Sequence, residues 1–133
     1  MHVVMYHYVR DFSTTPYKGI KGLDISGFCY QLDYLKNNFN VLNPREIKKR
    51  IINQDPFDVR DCWLTFDDGY SEHLECAVPE MEKRNLKGSF FPPVVTTKAE
   101  DVLEANKIQH ILSERTSSSN LLADIRTYFN DRQ

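Results

Sequence analysis

The sequence has no basic excess: its 133 residues carry 17 lysines and arginines against 19 aspartates and glutamates, a formal net charge of −2. Such a surface has no field with which to neutralise a phosphate backbone or an anionic bilayer, so nucleic acid is not expected as a partner. Cysteine is scarce as well. Cys29, Cys62 and Cys76 are an odd number with no C-x-x-C pair, which excludes a disulfide framework and a thiol-rich zinc site. No apolar run approaches the roughly 20 residues of a bilayer-spanning helix. The opening, Met1-His2-Val3-Val4-Met5-Tyr6-His7-Tyr8-Val9-Arg10, lacks the cationic start and small-residue cleavage site of a leader. These absences predict a soluble, cytoplasmic chain with no membrane span.

What is present is ordinary globular composition, 41% hydrophobic, 12% aromatic and 27% charged, enough for one packed core. No repeat or low-complexity tail divides it, so residues 1–133 read as a single domain. Residues 2–9 are apolar on both alternating faces, the pattern of a strand buried between layers. Phe28, Leu32, Leu35 and Phe39 recur at helical spacing, with Ser26 as the expected cap. Val41 and Leu42 form a short strand, and Pro44 opens a helix through about Asn53 with Ile47, Ile51 and Ile52 as its buried side. Residues 61–68 are an apolar run that stops at two carboxylates. Leu74, Ala77, Val78 and Met81 then fall at helical spacing around Pro79, which should bend the helix. Residues 88–95 are a strand cut short by Pro92 and Pro93. Two helical patterns follow, one with Val102, Leu103, Ile108, Ile111 and Leu112, the other with Leu121, Leu122, Ile125, Tyr128 and Phe129 after a serine-rich break at 117–120. This alternation predicts an α/β fold of mostly parallel strands joined by crossover helices, either a small complete domain or half of a barrel. Chemistry in such folds sits at the carboxyl ends of strands, here after residues 9, 68 and 95.

Asp67 and Asp68 are the sharpest feature. Two adjacent carboxylates at the end of an apolar strand repel each other and resist dehydration, and a cation is the simplest compensation. Neighbouring strand residues face opposite ways, so one can bind a metal while the other receives a proton. An Asp-Asp-Gly tripeptide also makes a polar turn that caps the next helix, and spacing alone leaves both readings open. The run Leu64-Thr65-Phe66-Asp67-Asp68-Gly69-Tyr70 matches the T-F-D-D-G signature of the polysaccharide deacetylase family with the NodB homology domain. Met5-Tyr6-His7-Tyr8-Val9 resembles the Y-H-x-V first strand of one branch, and Gly88-Ser89-Phe90-Phe91 is similar to a later strand, small-small-Phe-Phe. More narrowly, Asp68-Gly69-Tyr70-Ser71-Glu72-His73 and Asn106-Lys107-Ile108-Gln109-His110-Ile111-Leu112 resemble deacetylase-like proteins of bacterial surface-polysaccharide biosynthesis. The resemblance spans about residues 3–115.

That resemblance implies a partial (β/α) barrel and metal-dependent hydrolysis of an N-acetyl group on a carbohydrate, in polysaccharide or lipopolysaccharide biosynthesis. Asp67 would be the general base and Asp68 a ligand of a divalent metal, zinc or another first-row ion, which suits a mixed carboxylate and imidazole site. The sequence departs from the family at its paired H-x-x-x-H ligands and a later catalytic histidine. His2, His7, His73 and His110 are its histidines, and none forms that pair. His2 and His7 fall on opposite faces of a strand. His73, five residues after Asp68, is the candidate second ligand, and His110 reads as a core or interface residue. His7 and Arg10, at the end of the first strand, and Tyr70 are candidate substrate-binding residues. A complete barrel of this type exceeds 133 residues, so the expectation is a domain truncated on its C-terminal side, with 116–133 as a terminal helix and open strand edges that invite self-association. The alternative is a shortened relative that binds sugar or a partner without turnover. Phosphohydrolase chemistry, which favours D-x-D spacing, and glycoside hydrolysis, which needs carboxyls on opposite sides of a bond, fit adjacent aspartates poorly.

Overall fold

The strand that carries the aspartates, β5 (Asp61–Asp67), is the hub of the main sheet. Its apolar, partly β-branched run suits a strand enclosed on both edges. β1 (His2–Tyr6) lies parallel along one edge, with Val4 opposite Leu64 and Tyr6 opposite Phe66. Two short parallel strands share the other edge: β4 (Asn40–Val41) pairs at Asp61 and Cys62, and β6 (Ser89–Phe91) pairs at Thr65, Phe66 and Asp67. A second small parallel ladder joins β2 (Val9–Arg10) to β3 (Leu23–Asp24). The structure, a computed structural model, describes residues 1–95, 102–114 and 118–130.

Because side chains alternate along a strand, Cys62, Leu64 and Phe66 share one face of β5, and Tyr6 joins them by register. This face meets Phe28, Leu32 and Leu35 of α1 (Ile25–Asn38) together with Ala77 and Met81, and all are buried. Each large side chain so enclosed contributes roughly 1.5–3 kcal/mol of transfer free energy. Tyr6 and Phe66 stack at 5.2 Å, and Phe90 stacks on the other side of Phe66 at 4.8 Å. The cap of α1 is Asp24 rather than Ser26. Asp24 holds extended backbone and accepts the Ser26 N–H, so Ser26 is the residue being capped. α2 (Pro44–Asn53) begins as expected, with Asn43 accepting from the Glu46 N–H and Pro44 in the first turn. Its buried face is narrower than the pattern implies, for Ile47 is enclosed while Ile51 and Ile52 are 57% and 68% exposed.

Pro79 does more than bend a helix. Residues His73–Ala77 form a π-helical turn that runs into α3 (Val78–Lys83), with Pro79 in its first turn. A proline lacks the N–H and crowds the carbonyl four residues back, so the preceding turn widens. The shift leaves Leu74 exposed and turns His73, Ala77 and Met81 inward.

Two expectations change on the sheet's other face. β1 is not buried between layers: Val3 and Met5 stand opposite Trp63 and Thr65, and are 55% and 58% exposed. The partial barrel is not confirmed either. Among the described residues the sheet is open, ordered β1-β5-β4 with β6 beside β4 on the same edge of β5. α4 (Glu104–Glu114) and α5 (Ser118–Asn130) bear out the two late helices, but Val102 and Leu103 of the first pattern lie before α4, and Ile108, Ile111, Leu112, Leu122 and Ile125 remain exposed. The side chains of Tyr128 and Phe129, and residue 117 of the serine-rich break, lie outside the described residues. No described helix is long and apolar enough to cross a membrane.

Candidate active site

β5 delivers Asp67 at its carboxyl end on the open face, in register with Phe91 of β6. Asp68 and Gly69 then turn the chain through left-handed backbone, φ +71° and +68°. Aspartate tolerates this region better than most side chains. Gly69 is needed for a second reason, because a Cβ there would lie 2.7 Å from the Cβ of Pro92. The turn packs the aspartates against the end of β6, and both carboxylates are half-buried.

Tyr70 secures Asp68. Its hydroxyl lies 2.8 Å from Asp68 Oδ2 and 2.8 Å from Asn106 Oδ1 of α4. A phenol has one proton, which the carboxylate attracts more strongly than an amide does. Turning the Asn106 amide over, which exchanges its oxygen and nitrogen in place, lets its NH₂ donate to the hydroxyl oxygen so that both contacts are satisfied. Burial, with Asp68 alongside, pushes the Tyr70 phenol far above its ordinary range, so it acts here as a donor. Its ring stacks on Tyr8 at 4.2 Å, and the Arg10 guanidinium lies 4.6 Å over the other ring of that pair, Tyr8.

Arg10 is turned inward. It is 5% exposed and pairs with Glu72 at 2.6 Å, binding the second ladder to the segment after the aspartates. His73 is also internal, packed on Phe66, Tyr70 and Phe90. Its Nε2 donates to the His7 carbonyl at 2.5 Å, which fixes the tautomer and leaves Nδ1 buried with no hydrogen-bond partner among the described residues. Burial holds its pKa below the usual imidazole value, outweighing the His7 carbonyl and the nearby carboxylates. The His7 ring itself is exposed, and the residue lines a shallow hollow of 310 Å³ beside Lys21 and Gln31.

The structure thus brings Asp67, Asp68, Tyr70 and His73 around one strand end, holds Arg10 behind them in an ion pair, and leaves His7 at the rim. Among the described residues no three His, Cys, Asp or Glu side chains are grouped so as to hold a metal ion. Asp68 and the Nδ1 of His73 are candidate donors, but these residues alone do not make a metal centre. A groove of 590 Å³ runs away from the aspartates, between Asn43 and Arg45 at the start of α2 and Leu86, Lys87 and Phe90. Asn106 is the member of this constellation to which sequence reasoning assigned no role. Its signal was a polar residue among Leu103, Ile108 and Ile111 in a helical pattern.

No family profile and no curated protein matches the chain. Solved structures do. The de-N-acetylase of Aggregatibacter actinomycetemcomitans aligns at TM-score 0.55 and 22% identity over 68% of this chain and 36% of that one. The Streptococcus pyogenes deacetylase PplD, solved in complex with acetate, aligns at 0.57 and 20% over 81% and 50%. IcaB from Ammonifex degensii aligns at 0.51 and 26% over 68% and 38%. The chain therefore spans between about a third and a half of the length of these proteins. In its fold the chain resembles the polysaccharide deacetylase family, over part of the length of its members.

Proposed function

We propose that the chain carries the catalytic carboxylates of a carbohydrate de-N-acetylase acting in assembly of a bacterial surface polysaccharide or lipopolysaccharide, with the cytoplasm as its site of action. The observation that carries this reading is the adjacent pair Asp67 and Asp68 at the carboxyl end of the central strand, on a fold shared with two deacetylases. In this reading Asp67, on the open face, accepts a proton from water as that water adds to the acetamide carbonyl. The same proton can pass to the departing amine, giving acetate and a free amino sugar. Asp68, fixed by Tyr70, presents a second oriented negative charge. Tyr70, His7 and Arg10 remain the candidate substrate contacts. For Arg10 this requires release from Glu72, since its guanidinium is otherwise committed.

A divalent metal, zinc by the resemblance, belongs to this proposal with Asp68 and His73 as ligands, and it needs donors beyond those the described residues group together. The test is acetate release from N-acetylated oligosaccharides, with and without zinc, by the wild-type chain and by the Asp67→Asn and Asp68→Ala variants. Turnover that falls at least about 100-fold in both variants supports the assignment. Saccharide binding with no acetate release in any metal would overturn it in favour of a non-catalytic sugar-binding protein.

A further inference from the structure

We propose that Asn106 is a positioning residue for Asp68, acting through the hydroxyl of Tyr70. The burial of α4 points to it first. That helix leaves Ile108, Ile111 and Leu112 about half exposed, whereas Asn106 is 5% exposed. An asparagine is a poorer helix former than leucine, and its side chain does not serve the helix terminus here: the hydrogen bond to Leu103 is made by its backbone N–H. The side chain instead meets the Tyr70 hydroxyl at 2.8 Å, which in turn meets Asp68 Oδ2 at 2.8 Å. A buried polar group is retained where it is satisfied, and this one is satisfied by a link to the aspartate turn.

The chemistry of the link follows from proton counting. Tyr70 has one proton to give and gives it to Asp68, so its oxygen must accept from another donor to be satisfied. Asn106 supplies that donor once its amide is turned over from the orientation that sets Oδ1 at the hydroxyl. With the NH₂ in place the phenol proton has a single favoured direction. Without it the hydroxyl can rotate, and the carboxylate, set on left-handed backbone at φ +71°, loses its fixed partner. Aspartate at this position would be no substitute, because it offers an acceptor where a donor is required. The effect on turnover rests on the de-N-acetylase reading; the effect on the Asp68 side chain does not.

The test uses the full chain with ¹³C-labelled aspartate. The Asp68 carboxyl resonance, located by its disappearance in Asp68→Asn, is expected to move in both Asn106→Ala and Tyr70→Phe. Tyr70→Phe keeps the ring stack on Tyr8 and reports the Tyr70–Asp68 contact alone, so Asn106→Leu, which keeps the side chain's size, answers the question if Asn106→Ala fails to fold. Acetate release should then show kcat lowered about ten-fold in Asn106→Ala and Asn106→Asp, with KM within about two-fold of wild type. An Asp68 resonance that stays in place in Asn106→Ala or in Tyr70→Phe overturns the proposal. So does an unchanged kcat in folded Asn106→Ala beside an active wild type. A wild-type chain that releases no acetate removes the de-N-acetylase reading, and the carboxyl resonance still decides the link.

Discussion

Glu80 is the residue whose ionisation the structure ties most closely to folding. Its carboxylate accepts from Lys83 at 2.5 Å, from the Cys29 thiol at 3.1 Å and from Arg84 at 2.8 Å. Together they bring its pKa from 4.5 to about 2. Arg84 also grips Asp33 of α1 at 2.7 Å, so the network fastens α3 to α1. A carboxylate depressed in the folded state adds stability that is fully present above its unfolded pKa and is lost as pH falls through the folded one. The urea midpoint should therefore drop between about pH 4.5 and pH 2, and Glu80→Gln should flatten that part of the profile while lowering stability at neutral pH. Chemical denaturation at a series of pH values checks this, and a profile for Glu80→Gln parallel to wild type would contradict it. Asp61 is a second such group. Burial works against its charge, but the Asp58 N–H, Asn40 and Arg50 together hold its pKa below the ordinary value.

At the scale of elements, α4 differs from β5 in what holds it. β5 is paired on both edges and enclosed by apolar side chains, whereas α4 is attached through Asn106, through an edge-on contact of His110 with Tyr17 at 4.5 Å, and through Ser113 against Gly19. Segments with little buried apolar area open with small free energies. Amide exchange in α4 should be at least about 100-fold faster than in β5, read by mass spectrometry on the intact chain. Comparable protection in the two elements would refute this. Which elements exist was legible in the sequence, because residues 61–67 end at a charge, Pro44 opens a helix and Pro92 stops a strand. What local pattern could not convey was what each apolar face would meet. Ile51, Ile52, Val3 and Met5 have the periodicity of buried residues but are each more than half exposed in the described structure. The site divides the same way. Asp67 and Asp68 declare themselves by adjacency. His73 turns inward on the π-helical turn that precedes Pro79, a local shape its spacing does not announce, and Asn106 reaches Tyr70 only through tertiary packing.

For the whole molecule, the open sheet matters most. Val3, Met5 and Phe91 are each at least half exposed on the face that carries Trp63, and Phe91 and Trp63 line a hollow of 330 Å³ with Ile51 and Ile52. An apolar face of this kind drives association, and β1 adds an edge with no strand beyond it among the described residues. Sedimentation velocity should show a mass that rises with concentration, and Val3→Lys with Met5→Lys should suppress the rise without altering the far-ultraviolet spectrum. A concentration-independent monomer in the wild type would refute this. The pairing of β5 has a different consequence, in time rather than in space. Its register joins residue 2 to residue 62, and its other edge waits for residues 40–41 and 89–91. Long loops must close before those pairings reward the chain, which makes their formation slow relative to the helices. The two aspartates are therefore assembled late, when the last strand docks, and a ribosome must have released the chain well past Phe91 before any nascent copy can hold them in place.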